Sequence, residues 1–325
     1  MGLLKRRAKR ETRVFFATDV HGSDRCFKKF VNAAQGYDAD VLVLGGDITG
    51  KRVVPVVRGA SGVYHAEDQG RALTLTSEDE LREYERVAAD AGLYAYRTDE
   101  DEVRAMQEDP EHVERIFRSL ARDRLECWLA LVEERLPADP PRVFVNCGND
   151  DPFALDSLID GSSAVAFCEG RAIDLDERRV LVSCGYANLT PWRCERDVEE
   201  AELGARIEAA IATARPDAQL VLNLHAPPHD SGLDICPLLD DDFTPQMAAG
   251  QPVTGPVGST AVRRAIEEHA PVLSLHGHVH ESRAVARIGD TLAINPGSEY
   301  PEGVLRGAIV DLGESGVISH VLTSG

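Results

Sequence analysis

Short runs of apolar residues alternate with helix-type patterns along this chain. Residues 14–17 form a first apolar run, and residues 41–44 form a second in which four apolar residues follow one another. An unbroken run of this length is typical of a strand buried on both faces. Between the two runs, four apolar residues recur at helical spacing, namely Phe27, Phe30, Val31 and Ala34. The pattern predicts a strand, a helix from about Ser23 and a second strand.

Further apolar runs predict additional strands, at residues 143–145, 180–182, 220–222 and 272–275. The last part of the chain has apolar runs separated by Gly, Asp and Glu, near Ala284, Leu292, Ile309 and Val317. These C-terminal runs predict a β-meander. The alternation of strand and helix patterns predicts an α/β protein.

Charged, helix-favouring residues replace the apolar runs between residues 61 and 139. Ser77 and Glu80 have the spacing of a capping box, which predicts the start of a helix. Pro110 predicts the start of another helix, which continues to about Val132.

The length of the chain allows two domains or one large domain. The chain has 325 residues, of which 43% are hydrophobic, enough for a sizeable buried core. We interpret residues 1–325 as a single domain and residues 61–110 as a mostly helical insertion in it.

The chain is strongly acidic, with a formal net charge of −20 at pH 7. Because an acidic field repels nucleic-acid backbones, we expect no binding to long nucleic acids. A small anionic substrate is compatible with this charge, since bound metal ions would reverse its sign locally.

Neither a membrane segment nor a disulfide framework is predicted. The chain has no run of about 18 consecutive apolar residues, so we expect no membrane span. The apolar run after the basic start is too short for the core of a signal peptide. The seven cysteines are dispersed without a C-x-x-C pair, which favours reduced thiols over a zinc ribbon or disulfides. We therefore expect a cytoplasmic protein, for which the sequence specifies no oligomeric state.

Side chains that commonly bind metal ions follow five of the predicted strands. They are Asp19 and His21 after residues 14–17, Asp47 after 41–44, Asn149 after 143–145, His225 after 220–222, and His278 and His280 after 272–275. In open α/β sheets, ligands bind at the carboxyl ends of the strands, where the loops converge. We therefore expect these seven side chains to meet at one site.

The order of these motifs resembles a known family. The series Asp-x-His, Gly-Asp, Gly-Asn-x-Asp, His and Gly-His-x-His is similar to that of the calcineurin-like metallophosphoesterases, over residues 14–298 outside the insertion. Within it, residues 258–298 resemble the Icc-related predicted phosphoesterases. The resemblance implies a four-layer α/β/β/α sandwich with two metal ions at one edge.

The resemblance also implies a ligand set. Asp19, His21 and His280 would hold the first metal, Asn149, His225 and His278 the second, and Asp47 would bridge them. A carboxylate has two oxygens and can therefore bind two cations that lie about 3.5–4 Å apart. A nitrogen and oxygen ligand set without thiolate suits two divalent ions of Mn, Fe, Zn or Co, and we favour Mn.

Such a centre predicts a metal-dependent phosphoester hydrolase. Two cations lower the pKa of a bridging water, which supplies hydroxide, and they stabilise the charge of the phosphoryl group in the transition state. We expect a small phosphoester as the partner, preferably a phosphodiester. A phosphomonoesterase of the same fold and a non-catalytic metal-binding scaffold are the alternatives.

The chain departs from the family pattern at the expected proton donor. Many members carry His after the motif Asn, whereas Asp150 follows Asn149 here. Asp150 is therefore either an acid with a raised pKa or a polar turn residue. His229 is a candidate substitute, and a substrate whose leaving group needs little help is a further possibility.

The remaining motifs receive supporting roles. We expect Asp151 to orient its neighbours and His276 to pack behind the ligands, while Asn295 begins a tight turn that the family has near the site. Because the insertion lies between Asp47 and Asn149 in the chain, we expect it to overhang the site.

Overall fold

The structure, a computed structural model, describes residues 11–59, 62–68, 70–136, 141–240 and 242–325. Within these ranges the α-helices are α1 (Asp24–Gly36), α2 (Glu78–Asp90), α3 (Glu100–Glu108), α4 (Pro110–Arg135), α5 (Asp156–Asp160), α6 (Glu200–Ile211) and α7 (Thr260–His269). Two short 3₁₀ helices cover Phe153–Leu155 and Tyr300–Glu302. No helix in the described part of the chain has the length and apolar character needed to cross a membrane.

The strands are numbered in chain order. They are β1 (Thr12–Ala17), β2 (Val41–Leu44), β3 (Arg52–Arg58), β4 (Tyr64–Asp68), β5 (Arg71–Leu75), β6 (Leu93–Thr98), β7 (Arg142–Val145), β8 (Ala166–Phe167), β9 (Ala172–Asp174), β10 (Arg179–Cys184), β11 (Ala187–Asn188), β12 (Asp197–Val198), β13 (Gln219–Leu224), β14 (Ile235–Pro237), β15 (Met247–Ala248), β16 (Gln251–Pro252), β17 (Thr254–Pro256), β18 (Leu273–Leu275), β19 (Ala284–Ile288), β20 (Thr291–Asn295), β21 (Arg306–Gly313) and β22 (Gly316–Ser324).

Two six-stranded sheets form the body of the molecule. The first has the order β22-β21-β1-β2-β7-β8, and the second has the order β19-β20-β18-β13-β10-β9. β1, β2, β7 and β8 are parallel to one another, as are β10, β13, β18 and β20. The carboxyl ends of these parallel strands therefore share an edge of each sheet. The predicted mixed α/β class is confirmed.

Hydrophobic clusters cover both faces of each sheet. Along β1, Phe16 belongs to a cluster shared by the two sheets, and Phe15 belongs to a cluster with α1 and α4. A third cluster packs α6 and α7 on the second sheet, for example through Ile207 and Ile266. The expected four-layer α/β/β/α order stays a prediction. As predicted, all four residues of Val41–Leu44 are buried, because both faces of β2 are covered.

The predicted strands and helix starts correspond closely to the structure. Each apolar run named above contains or overlaps a strand. Ser23 caps α1 by accepting a hydrogen bond from the amide of Cys26, and Ser77 caps α2 by accepting from the amide of Glu80. Pro110 is the first residue of α4, where its missing N–H has no helical partner to lose.

The predicted C-terminal β-meander is wrong. β19 and β20 pair in the second sheet, whereas β21 and β22 pair in the first, so these four strands form two hairpins in different sheets. Residues 296–305, which contain Pro and Gly, carry the chain from one sheet to the other. The apolar pattern identified the strands but holds no information on their sheet.

The stretch predicted as a mostly helical insertion has mixed secondary structure instead. A four-stranded sheet of order β5-β4-β3-β6 lies here with α2 and α3, and β3 begins at Arg52. Residue 61, the predicted start, lies outside the described residues. These strands escaped the sequence pattern because their exposed positions carry charged side chains such as Glu67 and Arg71.

The base of this insertion lies beside the loop that follows β1. Ser23 donates its hydroxyl hydrogen to the carbonyl of Asp90 at 2.6 Å. Gly92 is so close to the carbonyl of His21 that a Cβ atom would collide with it, which explains the need for Gly there. The expected overhang of the site stays a prediction.

Candidate metal centre

Backbone hydrogen bonds bring together the loops that follow the parallel strands. The amide of Asp19 donates to the carbonyl of Gly46 at 2.9 Å, and the amide of Gly277 donates to the carbonyl of His225 at 3.0 Å. The amide of His278, from the second sheet, donates to Oδ1 of Asp19, from the first, at 3.0 Å. The two sheets therefore contribute to one site.

All seven expected ligands are brought together there. Six form two groups in which one ligand atom per residue lies within 4.8 Å of the others: Asp19, His21 and His280, and Asp47, His225 and His278. Asn149 joins the second group through its Oδ1, which is 2.9 Å from Nδ1 of His278. In the first group, Nε2 of His280 is 3.4 Å from Oδ1 of Asp19.

The carboxylate of Asp47 lies between the two groups. Its Oδ2 is 3.7 Å from Nε2 of His21, in the first group. Its Oδ1 is 3.3 Å from Nε2 of His225, in the second. Each oxygen thus faces a different group, which is the arrangement that a carboxylate bridging two cations requires.

The environment of His225 fits a metal ion. Its side chain is fully buried, and neither ring nitrogen makes a hydrogen bond, although Nε2 lies 3.3 Å from Asp47. A buried polar atom without a partner is costly, and buried polar atoms in proteins are nearly always paired. A cation coordinated by the imidazole would provide the partner.

Four of the seven residues have a backbone conformation that is rare for residues other than glycine. The φ angles are 52° at Asp19, 38° at His21, 49° at Asp47 and 67° at His278. Strained conformations of this kind persist where the surrounding structure enforces them, and they cluster at functional sites.

Burial and neighbouring charges set the protonation of the site. Burial and the charge of Lys51 lower the pKa of His21 to about 3, so its imidazole is neutral, as a metal ligand must be. Burial raises the pKa of Asp47, but the charges of His225 and Lys51 outweigh it and hold that pKa well below the usual range. Asp47 is therefore an anion between the two groups.

Two further carboxylates fix the ligand loops. As expected, Asp151 orients its neighbours: it accepts hydrogen bonds from the amides of Ile48, Thr49 and Gly148 at 2.7–3.0 Å. Burial and the charge of Asp47 raise the pKa of Asp151 to about 6.

Asp197 orients Asn149, which the sequence did not indicate. Its Oδ1 accepts from Nδ2 of Asn149 at 2.9 Å, so that the amide oxygen of Asn149 faces His278. Oδ2 of Asp197 accepts from the amides of Thr190 and Cys194, which holds the carboxylate in place.

Asp150 lies at the rim of the site in a network of contacts. Its Oδ2 is 2.7 Å from Nζ of Lys51, and its Oδ1 accepts from the thiol of Cys194 at 2.8 Å. Its amide donates to Oδ1 of Asp47 at 3.1 Å. Burial lowers the pKa of Lys51, but the charges of Asp150 and Asp47 outweigh it and raise that pKa above the usual value.

Two other histidines differ in their surroundings. His229 lies outside the two ligand groups; its side chain is 38% exposed, and its Nδ1 is 3.9 Å from Oδ2 of Asp234. A catalytic role for His229 stays a prediction. His276 packs behind the ligands as expected, with Nδ1 2.8 Å from the carbonyl of Leu224 and Nε2 2.8 Å from the hydroxyl of Ser274.

The turn that begins at Asn295 supports the ligand loop. Nδ2 of Asn295 donates to the carbonyls of Gly277 and Val279, on either side of His278. The hydroxyl of Ser298 donates to the carbonyl of Asp19 at 2.6 Å. The turn therefore lies near the site, as the resemblance implied.

A cavity of about 460 Å³ opens beside His280. Glu281, Arg283, Ser298, Tyr300 and Arg306 are among the residues that line it. The ring of Tyr300 lies 4.7 Å from that of His21 and 6.1 Å from that of His280, between centroids.

The sequence did not indicate Lys51, Asp197 or Tyr300 as residues near the site. A partial signal exists only for Lys51, which ends the motif Gly-Gly-Asp-Ile-Thr-Gly-Lys after β2. Asp197 lies in the two-residue strand β12 and Tyr300 in a short 3₁₀ helix, and neither belongs to a recognisable sequence motif.

Comparisons with known proteins support the fold. No family model matches the chain. The uncharacterised protein MJ1162 of Methanocaldococcus jannaschii is 29% identical to this chain over 118 residues. The aligned residues cover 36% of this chain and about half, 47%, of MJ1162. The solved structure of TT1561 of Thermus thermophilus aligns with a TM-score of 0.51 at 12% identity, over 97% of this chain and 98% of that chain.

A second solved structure aligns with a TM-score of 0.55 at 16% identity, over 97% of this chain and 98% of that chain. A dimetal phosphatase from Danio rerio aligns more weakly, with a TM-score of 0.43 at 9% identity over 96% and 98% of the two chains. The two alignments with TM-scores of 0.55 and 0.51 each extend over 97% of the chain and support the α/β fold described above.

Proposed function

We propose that this protein is a phosphoester hydrolase with a dinuclear metal centre, and that its substrate is a small phosphodiester. The observation that carries the proposal is the position of Asp47, whose two carboxylate oxygens face two separate groups of ligand atoms. A single structural metal ion would not need this division. Structural zinc sites also depend largely on cysteine, which both groups lack.

In this proposal Asp19, His21 and His280 would hold one ion, Asn149, His225 and His278 would hold the other, and Asp47 would bridge them. Manganese is the favoured metal, because the ligands are nitrogen and oxygen atoms only. When bound, the two ions supply a hydroxide near neutral pH and neutralise the charge of the phosphoryl group.

The side chains of the protein bind and orient the substrate. The cavity beside His280 is open to a small ester, and Tyr300 offers an aromatic wall there. The net charge of −20 fits a small substrate better than a long nucleic acid. We further propose a four-layer α/β/β/α architecture, which the three hydrophobic clusters support, and a cytoplasmic location.

The preference for a diester rests on Asp150, which follows Asn149 where many members of the family that the motifs resemble carry a histidine thought to protonate the leaving group. The test compares turnover of bis(4-nitrophenyl) phosphate and 4-nitrophenyl phosphate with Mn²⁺ added. Faster turnover of the diester supports the proposal, and faster turnover of the monoester overturns the preference in favour of a phosphomonoesterase.

The same assay addresses a non-catalytic scaffold. A protein that binds two metal ions but turns over neither ester, with Mn²⁺, Fe²⁺, Zn²⁺ or Co²⁺, would be such a scaffold. For substitutions of carboxylates in the metal centre, Asp217→Asn is a suitable control variant because Asp217 lies on the surface with its side chain 83% exposed.

A further inference from the structure

Lys51 places a positive charge at the rim of the metal centre. Its Nζ lies 2.7 Å from Oδ2 of Asp150, the residue that follows Asn149. The amide of Asp150 donates to the carboxylate of Asp47 at 3.1 Å, and ligand atoms of His21, Asp47 and Asp150 lie within 4.8 Å of one another. The ammonium group is thus separated from the two ligand groups by one carboxylate.

The backbone before Lys51 is firmly held. The amides of Ile48 and Thr49 donate to the buried carboxylate of Asp151, and the amide of Gly50 donates to the hydroxyl of Tyr94 at 2.9 Å. A Cβ atom at Gly50 would collide with the carbonyl of Gly92, so the loop packs tightly against the insertion. Lys51 therefore extends from a fixed point.

The ammonium group remains accessible to a substrate. The side chain of Lys51 is 48% exposed, in contrast to the buried carboxylate of Asp47. An ammonium group has three N–H donors. Because the contact with Asp150 uses one of them, two remain for other oxygen atoms.

Asp150 is already engaged on both of its oxygens. Oδ2 pairs with Lys51, and Oδ1 accepts from the thiol of Cys194 at 2.8 Å. This arrangement, in which both oxygens already have a partner, suits a carboxylate that positions a cation.

We propose that Lys51, positioned by Asp150, binds an oxygen of the substrate phosphoester and stabilises the negative charge that develops on the leaving group. This inference rests on the proposed hydrolase function and concerns its missing proton donor. As water adds to phosphorus and releases a proton to solvent, the ester P–O bond breaks and its electron pair stays on the leaving oxygen. Lys51 offsets that charge, and the leaving oxygen then takes its proton from solvent. A fixed cation that acts where charge develops is an effective stabiliser of the transition state.

The test compares Lys51→Gln, Lys51→Arg and Asp150→Asn with the unaltered protein, all loaded with Mn²⁺. Two methyl phosphodiesters serve as substrates, one with a 4-nitrophenyl and one with an unsubstituted phenyl leaving group. We expect Lys51→Gln to lower kcat/KM by about 100-fold for the phenyl ester and by about tenfold or less for the nitrophenyl ester, because nitrophenolate needs little stabilisation. Lys51→Arg keeps the charge and should recover most of the activity.

Lys28→Gln is the matched control. Lys28 is also about half exposed and is paired with a carboxylate, that of Asp24 at 3.5 Å, but it lies on the surface of α1. The activity of Lys28→Gln should equal that of the unaltered protein for both esters. Suppose that Asp150→Asn lowers kcat/KM selectively for the phenyl ester while Lys51→Gln does not. Asp150 itself is then the proton donor, and the inference is wrong.

Binding of inorganic phosphate to the Mn²⁺-loaded protein, measured by calorimetry, separates this inference from the proposed function. We expect Lys51→Gln to raise the phosphate Kd about tenfold or more and Lys28→Gln to leave it unchanged. Phosphate binding that depends on Lys51 in a protein without esterase activity would contradict the hydrolase function alone. Esterase activity and phosphate binding that are both unaltered in Lys51→Gln would contradict the role of Lys51 alone.

Discussion

Nε2 of His21 and Nε2 of His280 lie 3.0 Å apart, although 259 positions separate the two residues in the chain. At most one of these nitrogens carries a hydrogen toward the other, because two hydrogens between atoms 3.0 Å apart would collide. His21 follows a strand of the first sheet, and His280 follows a strand of the second. The pair thus marks the point where both sheets direct nitrogen donors at one position, and a cation there would coordinate both rings.

Gly148→Ala should disrupt the second group of ligands. A Cβ atom at Gly148 would collide with the carboxylate of Asp47 and approach Cε1 of His225 to 2.8 Å. Both side chains would have to shift, so we expect at least a tenfold loss of kcat/KM and reduced metal content. Gly36→Ala is the control, since a Cβ at the end of α1 meets no atom within 4 Å. Equal metal content in the two variants would show that the close contact around Asp47 is unimportant.

Asp197→Asn should weaken the centre without removing a ligand. The carboxylate of Asp197 holds Asn149 with its amide oxygen toward His278. Loss of a partner that orients a ligand typically lowers metal affinity or activity by about 10–100-fold. Metal content after dialysis against a weak chelator measures the effect, with Asp217→Asn as the surface control. Metal retention equal to that of the control would refute an orienting role for Asp197.

Asp176→Asn should destabilise the contact between the two sheets. Oδ2 of Asp176 accepts from the hydroxyl of Thr12, on β1, at 2.8 Å and from Nη1 of Arg179, on β10, at 2.6 Å. We expect the free energy of unfolding of the metal-free protein at pH 7 to fall by about 1–3 kcal/mol, as for hydrogen bonds to a charged group. Chemical denaturation of both proteins measures the difference.

The contribution of Asp176 should also depend on pH. Burial raises its pKa, but hydrogen bonds from Arg178, Thr12 and Arg179 outweigh burial and lower that pKa below the ordinary value. A lowered folded-state pKa contributes stability above the unfolded-state value of about 3.9, and this contribution is lost as the pH falls through the folded-state pKa. The difference in free energy of unfolding between the unaltered protein and Asp176→Asn should therefore have its largest value at pH 6 and shrink below about pH 4. A difference that grows at acidic pH would contradict this assignment.

Much of the site could be predicted from the sequence because its parts have local causes. An unbroken apolar run such as Val41–Leu44 identifies a buried strand, and a polar residue in the short turn after it, such as Asp47, must lie near the strand end. Capping residues such as Ser77 are equally local, since they satisfy an amide three positions later.

The features that were missed depend on long-range packing. The pairing of Lys51 with Asp150 joins residues far apart in the chain, and no local pattern encodes it. The sheet of the insertion was mistaken for helix because its strands are short and partly exposed, so that apolar alternation is weak in Tyr64–Asp68. The distribution of the last four strands between two sheets is likewise a property of the whole fold.

Metal analysis of the protein purified without chelator, together with Asp47→Asn, tests the central claim most directly. Asn keeps the size of the side chain but lacks the negative charge and the second anionic oxygen that would join the two groups. We predict about two divalent ions per chain in the unaltered protein, and at most one, with hydrolysis of the nitrophenyl diester lost, in the variant. Two ions and full activity in Asp47→Asn, or no metal in the unaltered protein, would contradict a dinuclear centre bridged by Asp47.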